Sequence, residues 1–192
     1  MVENWVVQCY SSAESPGDNL ILDGKNVGQD WAVAAIPKGC QMSINGMNSE
    51  QSDFEFSDLI IWDQALSKIE MTAVSNALRK KLNPSYEFPV VPEIPIDDNT
   101  IDYDSLVDIP AWGIYRAADF DAKNKILKEA RGNGRDAKSS GLIYKEVVTT
   151  GFGATVPIES ITGNVRSSII WPQGSIPKQD FSICSIARQS IY

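Results

Sequence analysis

The sequence predicts an all-β fold, an antiparallel β-sandwich with one short α-helix. Three observations carry this reading. Short runs rich in Val, Ile, Trp, Tyr and Phe recur along the chain, separated by Gly, Pro, Asn and Asp. Asp23-Gly24 and Asn45-Gly46 stand next to such runs, and residues of these types supply the positive φ of a tight turn. A helical period of apolar residues is read over one stretch, residues 67–82.

Residues 4–10 (NWVVQCY) are β-branched and aromatic, a strand signal, and the polar stretch after them with Pro16 and Gly17 reads as a loop. Residues 20–28 (LILDGKNVG) read as strand, Asp-Gly turn and strand, and residues 41–44 as a further strand. Residues 54–62 (FEFSDLIIW) are the clearest strand. Strict alternation would put Phe54, Phe56, Asp58, Ile60 and Trp62 on one face and Glu55, Ser57, Leu59 and Ile61 on the other. The imperfect hydrophobic pattern suits a strand covered on both faces.

Ser67-Lys68-Ile69-Glu70 is a capping box, in which the Ser side chain takes an orphan amide and Glu70 reaches back. Met71, Val74, Leu78 and Leu82 then form one apolar stripe. Arg79, Lys80 and Lys81 fall in the last turn, where the helix dipole favours cations, and Asn83-Pro84 ends the helix. Residues 84–110 differ from the rest. Five prolines punctuate them and Asp97, Asp98, Asp102, Asp104 and Asp108 crowd their second half, which predicts an extended linker. Strand-like runs return at 112–117, 142–148, 167–171 and 181–188, with turn-rich loops at 131–136 and 171–177.

The chain has 192 residues, enough for one large β-domain or two small ones. Its net charge of −8 disfavours nucleic acid and anionic lipid as partners. Histidine is absent, which removes the usual general base and the commonest zinc ligand, and no carboxylate spacing singles out a catalytic pair. An enzyme is therefore not expected. No apolar run is long enough for a transmembrane helix, and the N-terminus lacks the basic and apolar regions of a signal peptide. The chain reads as soluble or peripheral, with the extracellular space or an organelle lumen left open as its compartment.

The cysteines Cys9, Cys40 and Cys184 form no CxxC pair. Cys9 and Cys184 lie in apolar strand-like runs, so the expectation is buried free thiols. A Cys9–Cys184 disulfide is the alternative, and it requires those two strands to lie close together. Among the tryptophans, Trp5 and Trp62 are expected in the core. Trp31, Trp112 and Trp171 are candidates for stacking on a sugar ring, Trp171 foremost because it stands in a loop before Pro172. Loop anchoring is the plainer role for all three. The acidic run at 97–104 could gather oxygen ligands for calcium, but it lacks the glycine and closing glutamate of an EF-hand loop and reads more plainly as a solvated linker.

Three stretches resemble laminin-G-like and concanavalin A-like lectin domains. NWVVQCYSS…NLILDGKNVG is similar to that family's hairpin "W-h-h-V…L-x-h-x-x-D-G-x-x-V-G". FEFSDLIIWDQALSKIEMTAVSNAL resembles its final strand and terminal helix. KILKEARGNGRDAKSSGL and FSICSIARQS resemble its opening "D-x-S-G-N-G-x-D-A" loop and first long core strand, with Glu129 where the family has Asp and Arg131 where it has Ser. WPQGSIPKQDFSICSIAR is similar to lectin-like repeats of algae and their large viruses.

The resemblance implies that residues 1–83 are the closing half of such a sandwich and 111–192 the opening half, joined in reverse order by the linker at 84–110. It further implies that the family's middle strands are absent and that exposed strand edges need a partner. Calcium at the sandwich rim is the cofactor it implies, with Asp23 and Asp136 as candidate ligands; ordinary turn chemistry is the plainer account of both. Two functions follow as expectations. One is a non-catalytic structural or accessory subunit that mediates protein–protein assembly in a larger complex. The other is a carbohydrate-binding or adhesion module, assisted by calcium.

Overall fold

The computed structural model describes residues 4–12, 18–28, 41–46, 51–87, 110–148 and 150–189. The strands of the N-terminal stretch are β1 (Val6–Ser11), β2 (Leu20–Leu22), β3 (Lys25–Asn26), β4 (Ser43–Ile44) and β5 (Phe54–Trp62), followed by helix α1 (Lys68–Leu82). The C-terminal stretch contributes β6 (Gly113–Asp121), β7 (Ile126–Glu129), β8 (Ala137–Ser140), β9 (Ile143–Val148), β10 (Ile158–Gly163), β11 (Ser168–Ile170) and β12 (Ser182–Gln189). The fold is an all-β antiparallel sandwich, with one helix among the described residues.

Strands of the two stretches alternate in space. β12 lies between β1 and β5, and β5 is the branch point: Phe54–Phe56 pair with β10 while Asp58–Ile61 pair with β6. One layer therefore runs β3-β2-β1-β12-β5-β10-β9. From β6 the sheet turns back over it as β6-β7-β8-β11-β4. Phe56, Leu59, Ile61 and Ile161 of the first layer meet Tyr115, Leu127, Ala137 and Ile169 of the second in a common core. The outer face of the first layer carries a second core. There Val7, Cys9, Ile21, Ile60, Trp62, Cys184 and Ile186 pack under Met71, Val74, Ala77, Leu78 and Leu82 of α1. A helix with one apolar stripe, laid on a sheet, buries that stripe, and each fully buried large side chain contributes about 2 kcal/mol.

α1 starts as its sequence requires. Ser67 Oγ accepts from the Glu70 amide and the Glu70 carboxylate accepts from the Ser67 amide, so the capping box is complete. Asn83 ends the helix in an extended conformation. Asp23 (φ 48°) and Gly24 (φ 76°) form the two-residue turn between β2 and β3, both in the left-handed region that a primed hairpin turn demands.

Strict alternation along β5 is not what the structure adopts. The pairing with β12 shifts register between Ile186, opposite Asp58, and Ala187, opposite Phe56, so Ser57 has no opposite residue. This β-bulge reverses the faces. Phe54, Phe56, Leu59 and Ile61 look into the inter-sheet core, while Ile60 and Trp62 look toward α1. The bulge leaves Glu55 and Asp58 buried, and each has a cation. Arg188 donates two bonds of 2.7 Å to Glu55, and Lys81 lies 2.7 Å from Asp58.

The free-thiol expectation for Cys9 and Cys184 is overturned: they form a disulfide. They stand directly opposite on β1 and β12 with their Cα atoms 4.0 Å apart, so the strand pairing itself brings the sulfurs together. Cys40 lies outside the described residues. Three strands gave no sequence signal, namely β7 (ILKE), β8 (AKSS) and β10 (IESITG). Their polar content hides them. Ser160 and Thr162 of β10 are nonetheless fully buried, because β10 is covered on both faces.

Candidate functional site

Of the three stacking candidates, Trp171 is 1 % exposed. Tyr115 and Phe56 approach it edge-on, with ring centroids at 5.7 and 6.3 Å. Its amide donates to Met42 and its carbonyl accepts from Gln41 Nε2. A ring enclosed this way anchors the loop after β11 and has no face to offer a sugar. Trp112 is half-buried, with the Arg135 guanidinium 4.0 Å over its ring. Arg135 also donates to the Trp112 carbonyl, and Tyr115 Oη donates to the Arg135 carbonyl. These bonds tie Trp112 into the loop beside the core rather than freeing it as a platform. Trp31 lies outside the described residues.

The two calcium candidates do not come together. Asp23 Oδ1 accepts the Val7 amide at 3.0 Å, its carbonyl accepts from Arg79, and the next amide, Gly24, donates to Ser75 Oγ. Asp23 thus docks the β2–β3 hairpin under α1. Asp136 Oδ1 accepts the Glu129 amide at 2.8 Å. Glu129 itself is buried and its carboxylate accepts the amides of Ile114, Arg131 and Asn133. The pair therefore builds the 131–136 loop. Both aspartates are committed to backbone amides, and no group of three or more acidic, Cys or His side chains among the described residues is placed to hold a metal. These residues do not fit a calcium site. The acidic run at 97–104 lies outside the described residues. Glu129 is the loop's organising group. Its signal in the sequence was the departure from the Asp of the resembling family, just before Gly132 and Gly134.

Among the described residues, the rim at β9 has chemistry to offer. Ile143–Val148 pair with β10 along one side only, so among the described strands none joins its second edge. The opposite rim of the same layer ends in β3, of two residues, and the second layer ends in β4, also of two residues. β9, with a six-residue run of backbone, is longer than either of these. Large apolar side chains gather there: Leu142 is 68 % exposed, Val147 57 % and Tyr144 40 %. Ser167 Oγ donates to the Leu142 carbonyl, joining this corner to the turn that carries exposed Val165.

Two charges sit at the strand's centre. The register places Lys145 opposite Ile161, on the face toward the second layer. Its Nζ donates to the Ala118 carbonyl of β6 at 3.3 Å and lies 3.9 Å from Glu159. Glu146, opposite Ser160, is on the other face. Burial raises its pKa, and the nearby Glu55 carboxylate adds to that while Arg188 opposes it.

In comparisons of the chain with family models, with curated proteins and with solved structures, nothing matches. The reading of function therefore stands on the geometry of this chain. No helix among the described residues is long and apolar enough to cross a membrane.

Proposed function

We propose that this chain is a non-catalytic structural module that joins a larger assembly by accepting an extended strand at β9. The observation that supports the reading most is the open β9 edge with Leu142 and Val147 exposed beside it. An unpaired edge offers a row of amides and carbonyls to another chain, and apolar side chains on alternate positions add contact area. The lectin-like resemblance of the sequence motifs concerns how the sandwich is built. The alternative of a calcium-assisted carbohydrate-binding module draws no support from Trp171, Trp112, Asp23 or Asp136 in their described positions.

The test sets the two readings side by side. The intact chain is probed against displayed extended peptides and against a glycan array, with calcium and with chelator. The assembly reading expects peptide binding that Leu142→Lys with Val147→Lys abolishes while the melting temperature is kept. Calcium-dependent glycan binding untouched by those substitutions would overturn it.

A further inference from the structure

The charges at the centre of β9 carry an inference about which strand can dock there. It rests on the assembly reading above and deepens it. From the register of β9 and its flanking residues, we infer that its edge selects a segment from a different kind of chain and rejects a second copy of itself.

Directly opposed residues of an antiparallel pair share one face of the sheet. Two copies meeting through the same edge are related by a twofold axis normal to the sheet, so a residue can only oppose a residue of its own face. In β9, Ile143, Lys145 and Val147 belong to one face and Tyr144 and Glu146 to the other. The registers that pair the strand most fully centre on Lys145 or on Glu146. The first opposes Lys145 to Lys145, and the second opposes Glu146 to Glu146. Like charges directly opposed destabilise a pair. The register that would match Lys145 with Glu146 needs residues of opposite faces to meet, which this symmetry forbids.

Sliding further does not rescue the pairing. Centring on Tyr144 draws Gly141 into the ladder. Gly141 has φ 79° and its carbonyl already accepts from Lys125 Nζ. Centring on Val147 runs the ladder past the end of the strand at Val148. A lysine on an edge strand is also a known guard against indiscriminate pairing.

A different chain is not bound by that symmetry. An antiparallel segment that reads apolar, basic, acidic, apolar puts its basic residue opposite Glu146 and its acidic residue opposite Lys145. Its first apolar residue then lies opposite Val147. The ligand class is thus an extended peptide with a central basic–acidic pair between apolar residues. Each cross-strand charge pair is modest, and two pairs made attractive rather than repulsive amount to about tenfold in affinity.

The experiment uses the full chain and two synthetic peptides. One has Val-Lys-Glu-Val at its centre and the other Val-Glu-Lys-Val, with identical flanks. Binding is measured by calorimetry, the contact is located by hydrogen exchange, and the chain's own mass is measured by light scattering over a concentration series. The expected result is a monomer that binds the first peptide about tenfold more tightly than the second, with new protection at residues 143–148. Lys145→Glu with Glu146→Lys should invert the preference. Equal affinities, or a preference that survives the inversion, would overturn the charge selection. Dimerisation of the wild-type chain with protection at 143–148 would overturn the rejection of a second copy while leaving the assembly reading intact. A monomer that binds neither peptide would overturn both.

Discussion

Tyr115 shows how much one side chain can report. Its ring is fully buried, edge-on to Trp171, and its hydroxyl donates to the Arg135 carbonyl at 2.9 Å. Burial, and after it the Glu129 carboxylate, hold its phenol far above the ordinary tyrosine value, with Arg135 pulling the other way. The sign follows from proton linkage. A raised acid pKa means the folded state keeps a proton that the unfolded chain gives up, so stability is intact below about pH 10 and lost as pH rises beyond it. Absorbance titration at alkaline pH should show a tyrosine that ionises only with unfolding, and Tyr115→Phe should remove that step. Ionisation of every tyrosine near the ordinary value in the folded protein would contradict this. The same scale explains what the sequence concealed. Trp171 stands beside Pro172 in what reads as an exposed loop, yet the loop folds inward and the indole fills the core. Local composition reports the loop; only the packing partners, Phe56 and Tyr115 from two other strands, report the burial.

At the level of elements, α1 was legible almost to the residue because its signals are local: a capping box, one stripe and a basic last turn. The β2–β3 hairpin was legible for the same reason, since Asp23-Gly24 fixes its turn. β5 was legible as a strand, but its faces were not. The bulge at Ser57 follows from pairing with β12, more than a hundred residues away, and no property of FEFSDLIIW by itself announces it. The disulfide obeys the same logic. Cys9 and Cys184 are separated by 175 residues, and only the β1–β12 register brings them opposite. Closing so long a loop stabilises the fold by up to about 5 kcal/mol through the unfolded chain's lost entropy. Urea unfolding should therefore shift to a lower midpoint when reductant is present, and no more than one thiol should titrate in the unfolded, unreduced chain. An unchanged midpoint with three titrating thiols would contradict the bridge.

On the scale of the whole molecule, strands of the N-terminal and C-terminal stretches interleave in the sheet. β12, from the end of the chain, fills the place between β1 and β5, and β6 and β10 complete the other side of β5. Each stretch alone would expose the long edges of β5 and β12; together they hide both. The resemblance implied that each stretch was incomplete, with exposed edges in need of a partner. It did not show which edges would find partners within the chain, since that depends on pairing between distant segments. Among the described strands none pairs with the second edge of β9, and the functional proposal rests on that edge.

Native-state hydrogen exchange on the full chain tests this most directly. Amides of β5, β12 and β10 are expected to exchange only through global unfolding. Along residues 143–148, protection should alternate, with every second amide exchanging fast because it faces outward from the edge. Uniform protection across 143–148, at the level of β10, would mean that the edge is covered and would overturn the proposed strand acceptance at β9.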